Sequence, residues 1–139
     1  DHEKFYPASF RLGNMLVATA STKDDKQDLN YGDNTVHLAA PGIDVEVLTW
    51  KGKDVTTVVS GTSYSTAFVA GAAALIKSEY PNASVKEIKF RILDNVAMPK
   101  VGGNYPFKDT TCSDGRLNLA EVLKKYPAGT VWKLPNNCY

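Results

Sequence analysis

The residues best suited to chemistry lie between Ser60 and Gly71, in the segment SGTSYSTAFVAG. A glycine-flanked turn leaves a β-branched run, presents Ser63, and passes straight into a long apolar stretch with helical character. At a helix N-terminus the first backbone N–H groups have no intrahelical partner, and the positive end of the helix dipole lies close by. Both features favour an oxyanion, so the arrangement suits a serine attacking a carbonyl through a tetrahedral intermediate. Gly61 leaves room for a substrate. The same residues also suit a purely structural role, because serine and threonine are frequent helix N-caps. Local sequence leaves both readings open.

Other chemistries fit poorly. Gly61-Thr62-Ser63-Tyr64-Ser65 lacks the final glycine of a nucleophile elbow, and Gly52-Lys53-Asp54 has no upstream glycine for a phosphate-binding loop. There is no dinucleotide fingerprint and no zinc-ligand spacing. Cys112 and Cys138 are too far apart for a redox pair and read better as a disulfide, with each other or with cysteines outside this sequence, two unpaired thiols being the alternative. A net charge of +1 gives no pull toward nucleic acid or anionic membranes. The longest apolar run, Phe68 to Ile76, is far short of the roughly 20 residues that span a bilayer, and the first residues do not read as a signal peptide. Asn82-Ala83-Ser84 is a glycosylation sequon, which leans toward a secreted glycoprotein, although Ser84 also begins a capping box with Glu87.

The elements that must position Ser63 follow from patterning. Asn14 to Ala20, Val36 to Ala40, Val45 to Thr49 and Val55 to Val59 read as strands, the last two as a hairpin around residues 50–54, and Ser21 to Asp33 as a surface loop. Thr62 to Glu79, stopped at Tyr80-Pro81, is apolar or small on every face until Lys77 and predicts a buried helix with protein on nearly all sides. Ser84 to about Asn95 predicts an amphipathic helix, with Val85, Ile88, Ile92 and Val96 inward and Lys86, Glu87, Lys89 and Asp94 largely outward. Pro99 to Gly115 reads as a loop and Leu117 to Lys125 as a third short helix. Strands first and helices after give an α/β domain, yet so buried a helix is under-covered in 139 residues.

Four segments in order carry a resemblance. Gly61-Thr62-Ser63, followed by Ser65-Thr66 and Val69-Ala70-Gly71, is similar to the serine motif of subtilisin-like peptidases, the subtilases. Phe5-Tyr6-Pro7-Ala8 with Asn14-Met15-Leu16-Val17 resembles the segment after that family's oxyanion asparagine; Leu38-Ala39-Ala40-Pro41-Gly42 resembles its APG strand end; Gly115-Arg116-Leu117-Asn118 resembles the start of its closing helix. The resemblance implies a three-layer α/β fold with a mostly parallel sheet, of which residues 1–139 form the C-terminal portion. It also implies a serine endopeptidase with Ser63 as nucleophile. The Ser63 N–H, with Thr62 and Gly61 around it, forms the oxyanion turn. Phe5, Tyr6 and Pro7 flank the P1 pocket, with a cis bond before Pro7, and Tyr64 stands on the leaving-group side. A peptide or protein is the substrate. No cofactor is required, and calcium is common in the family, although Asp24, Asp25 and Asp28 read as a solvated loop face.

Departures from the family matter. No Asp-Ser/Thr-Gly or His-Gly-Thr-His segment occurs, and neither His2 nor His37 stands where the family has its base. The expected partner is therefore an N-terminal half carrying aspartate and histidine, without which the chain is inactive. Ala67 replaces the usual proline and Tyr64 the usual methionine. Phe5 stands where the family has a small residue, so a shortened P1 pocket preferring Ala, Ser or Thr is expected. The rival reading is a non-catalytic, degenerate binding module of the same fold.

Overall fold

The runs read as strands do form strands, shorter than expected, in the computed structural model, which describes residues 4–50, 55–135 and 138. Strand β1 spans Ala18–Ser21, β3 Leu38–Pro41, β4 Val45–Leu48 and β5 Thr56–Val59; β2, Gln27–Asp28, arises inside the segment expected to be all loop. β1 is central, parallel to β3 with Ala18 opposite Leu38, and antiparallel to β2 with Ala20 opposite Asp28. β4 and β5 form a separate antiparallel pair with Val45 opposite Val59, and residues 51–54, within the span expected to form the hairpin loop, lie outside the described residues. His37 extends the β1–β3 pairing: its N–H donates to the Val17 carbonyl at 2.9 Å and its Nδ1 accepts from the Val17 N–H at 3.0 Å. His2 lies outside the described residues.

Helix α1 spans Thr62–Glu79, as predicted, and packs on β1 and β3; helix α2 spans Val85–Asp94 and packs on α1. One stripe of α1, Ser65, Val69, Ala72 and Ile76, faces Leu38, Ala40, Ile92, Leu93, Leu117 and Val122 in the core. The expectation of protein on nearly every side is not met among the described residues, where Phe68 is 37% and Leu75 47% exposed. No described helix is long and apolar enough to cross a membrane.

The start of α1 is tied to the end of β3. The Gly61 N–H donates to the Gly42 carbonyl at 2.7 Å, and the buried Ser65 hydroxyl donates to the Ala40 carbonyl at 3.0 Å. Close approach requires glycine at 42: a Cβ there would overlap Ser65 Oγ and lie 2.7 Å from Ala20 Cβ and 3.0 Å from the Gly61 carbonyl. On the hairpin side, Ser60 Oγ accepts from the Asp44 N–H at 3.0 Å.

Two expectations for the second half are corrected. On α2, Ser84 does cap the helix, accepting from the Glu87 N–H at 3.2 Å, but Val85 is exposed while Lys89 and Arg91 are buried. The cause is the segment after residue 125, which crosses this helix. The Arg91 guanidinium lies 3.9 Å from the Tyr80 ring centroid and 5.1 Å from that of Tyr126, and donates to the Lys124 carbonyl and to Glu87. Aromatic faces and charge-assisted hydrogen bonds together offset the desolvation of the cation. The predicted third helix at 117–125 is instead a series of turns. The Leu117 N–H is spent on the Ala39 carbonyl, the Asn118 side chain accepts from the Ala120 N–H, and the Leu123 and Lys124 carbonyls accept from Tyr80 and Arg91. The backbone bonds within the segment are of the i to i−3 kind, from the Glu121 N–H to the Asn118 carbonyl at 3.2 Å and from the Lys124 N–H to the Glu121 carbonyl at 2.9 Å. Cys112 and Cys138 form a disulfide across 26 residues, which in the chain-entropy account stabilises by about 3.5 kcal/mol.

Burial pushes the Lys89 ammonium, 2% exposed, down from its ordinary 10.5 to about 8. Between those values the unfolded chain holds a proton that the folded chain releases, so this residue's contribution to stability improves as pH rises. Urea melts from pH 8 to 10.5 are expected to show the natural protein gaining on the order of 1–3 kcal/mol relative to Lys89→Met; a flat difference contradicts this. Gly42→Ala is expected to lower stability by about 1–3 kcal/mol through overpacking, with Ser65→Ala restoring part of the loss. Purely additive melts of the two substitutions would rule out a shared clash.

Candidate active site

Ser63 is the second residue of α1 and is exposed. The N-cap is Gly61, with no side chain bonded to the helix end. Ser63 is therefore not the cap that local sequence also allowed. Its hydroxyl stands at the helix start, beside the backbone N–H groups of Thr62 and Ser63. Among the described residues no histidine or carboxylate hydrogen-bonds the Ser63 hydroxyl. The next two hydroxyls have structural roles: Ser65 is held on Ala40, and Thr66 donates to the Thr62 carbonyl at 3.0 Å.

Two open clefts flank this turn. One, of about 460 Å³, is lined by Phe5, Val17, Tyr31, Val36 and Thr62 among others, so two residues far apart in sequence, Phe5 and Thr62, meet there. Phe5 is 63% exposed at this cleft. Tyr6, joined to Pro7 by a cis peptide bond, packs its ring on Phe10 at 4.9 Å and lines neither cleft. The other cleft, of about 420 Å³, begins at Tyr64 and runs along α1 past Phe68 and Leu75.

The sequence missed Gly42 and Ser65 as the residues that hold the turn. Gly42 was visible only as part of a strand-ending motif. Ser65 carried one signal that could have found it: a hydroxyl four residues before Val69, in register with the buried stripe. His37, 4% exposed, is committed to backbone pairing through Nδ1. Among the described residues no three His, Cys, Asp or Glu side chains are grouped to hold a metal ion, and Asp25 is paired with Arg116.

The chain is similar to known proteins in both sequence and fold. The sequence model of the subtilase family matches residues 6–124. The chain is 36% identical over 87 residues to a thermostable alkaline protease of Halalkalibacterium halodurans, covering 63% of this chain and 23% of that protein. It is 34% identical over 90 residues to an extracellular serine proteinase of a Thermus species, covering 64% and 22%. A subtilase cytotoxin subunit from Escherichia coli matches at 34% over 91 residues, covering 66% and 24%. Among solved structures, one subunit of the AB5 toxin from E. coli superposes with a TM-score of 0.67 at 25% identity, covering 85% of this chain and 42% of that one. The chain thus spans about a quarter of the length of these curated relatives. With the family match running through both the serine turn and the segments that hold it, this chain belongs to the subtilase family.

Proposed function

We infer that this chain is the C-terminal portion of a single subtilisin-like serine endopeptidase domain with a three-layer fold, cleaving peptide bonds through an acyl-enzyme on Ser63. The observation that carries the reading is an exposed serine at an uncapped helix N-terminus, opening beside a cleft that Phe5 and Thr62 share.

In the proposed reaction Ser63 Oγ attacks the scissile carbonyl carbon as its proton passes to a histidine supplied by the N-terminal portion of the domain. The carbonyl oxygen gains negative charge against the Ser63 N–H, with Thr62 and the open approach left by Gly61 beside it. The C–N bond then breaks, and the amine departs with the proton held by the histidine. Water next attacks the ester carbonyl, returning Ser63 to its hydroxyl form and releasing the acid. Alone, the 139-residue chain lacks the base and is inactive. The extracellular serine proteinase among its relatives supports secretion.

Substrate choice rests on Phe5. A phenyl ring in the P1 cleft shortens it, so Ala, Ser or Thr is preferred at P1 over Phe or Leu. Phe5→Gly in the complete enzyme is expected to raise kcat/KM for P1-Phe peptides relative to P1-Ala by about 10- to 100-fold; an unchanged ratio removes Phe5 from specificity. The reading as a whole is tested by a fluorophosphonate probe on protein from its native source, on this chain alone, and on Ser63→Ala. Labelling in native material only, abolished by the substitution, is the expected result. No labelling in either form points to the non-catalytic module.

A further inference from the structure

The turn joining α1 to α2 contains Asn82-Ala83-Ser84, the acceptor pattern for N-linked glycans. Asn82 is exposed, and among the described residues its side-chain amide is held by no hydrogen bond. Its neighbour Ala83 is 5% exposed and pinned from two sides. The Ala83 N–H donates to the Tyr80 carbonyl at 2.9 Å, and its carbonyl accepts from the Lys77 ammonium at 3.0 Å. The turn is thereby fixed with Asn82 in solvent, where a bulky polar substituent displaces no packed side chain. Helix α1 is about 27 Å long, with Ser63 in its first turn and Asn82 beyond its last. A sugar chain attached here starts far from the serine and from the cleft that Phe5 and Thr62 share. The Cys112–Cys138 disulfide independently favours an oxidising compartment, the setting in which such glycans are added.

The cap and the acceptor motif use the same hydroxyl. In the folded chain Ser84 Oγ accepts from the Glu87 N–H at 3.2 Å and begins α2. An enzyme reading the motif has to grip the Ser84 hydroxyl while reaching the Asn82 amide. With Ala83 buried between them and Ser84 engaged by the helix, that grip is open only before the turn closes.

We propose that Asn82 bears an N-linked glycan, attached before α2 forms, after which Ser84 becomes the helix cap. In the transfer Asn82 Nδ2 bonds to the anomeric carbon of a lipid-linked pyrophosphate oligosaccharide. The carbon–oxygen bond to the pyrophosphate breaks, the lipid pyrophosphate leaves, and the amide nitrogen gives up one proton. The inference does not depend on the peptidase reading, because none of its residues belongs to the serine turn.

The test uses the full-length protein from its native source. Peptide mass spectrometry after amidase release of glycans in heavy-oxygen water is expected to find residue 82 as labelled aspartate. Asn82→Gln and Ser84→Asp should abolish the modification, and Ser84→Thr should keep it. Aspartate is itself a good cap, so loss in Ser84→Asp reports the motif and not a misfolded helix. An unmodified Asn82 in native material overturns the proposal, as does a glycan that survives in Ser84→Asp. The order of events is read on unglycosylated full-length protein made in a bacterial host and given oligosaccharyltransferase with its lipid-linked donor. Reduced, denatured chain should be modified and folded chain should not; equal modification of the two would overturn attachment before folding.

Discussion

The structure depends on the tie between the end of β3 and the first turn of α1. Two hydrogen bonds, Gly61 N–H to Gly42 and Ser65 hydroxyl to Ala40, bracket Ser63 from either side. Both acceptors belong to the same strand end, so the turn cannot rotate about one of them without breaking the other. A helix start fixed in this way has its N–H groups and dipole aimed at solvent in one direction. Burial then does the rest. Ser65 is fully enclosed, and a buried hydroxyl deprived of its acceptor costs about 1–3 kcal/mol, so the bond and its geometry persist together.

A second consequence concerns α1 as a packing unit. Its composition is largely apolar or small, yet among the described residues only one stripe of it, Ser65, Val69, Ala72 and Ile76, is buried. On that side the small residues Ser65 and Ala72 let the helix sit close to β1 and β3, while Val69 and Ile76 fill the space between it, α2 and the turns after Leu117. The remaining apolar surface, with Tyr64, Phe68 and Leu75 on the helix, faces a groove walled by Val47 and Leu119. Single exposed apolar residues are ordinary on protein surfaces; a contiguous, grooved stripe is the feature that marks an interface.

What the sequence revealed depended on how local the controlling interactions were. The limits of α1 were legible because Gly61 opens it and Tyr80-Pro81 closes it, both within a residue of its ends. The start of α2 was legible for the same reason, through Ser84 and Glu87. Its buried face was not. Arg91 is enclosed by Tyr126 and the Lys124 carbonyl, more than thirty positions away, and periodicity cannot see partners at that distance. The turns at 117–125 are likewise held from afar, by Ala39, Tyr80 and Arg91, partners that local propensity does not register. At the site, Ser63 was visible through its motif, whereas Gly42 owes its importance to a contact with Ser65 that exists only once strand and helix meet.

What holds Ser63 in place and what could draw a proton from it are separate questions in this structure. Everything that positions Ser63, from the Gly42 turn to the buried stripe of α1, lies within the described residues and is held by ordinary packing and backbone hydrogen bonds. Nothing comparable among those residues draws a proton from its hydroxyl. The described histidine shows the difference clearly: His37 is buried, its Nδ1 already accepts from Val17, and its role is to pair backbone. Imidazole that completes a strand register is not also available as a mobile base at a helix end. A scaffold can thus hold a serine at a fixed helix start without itself supplying a group that takes its proton.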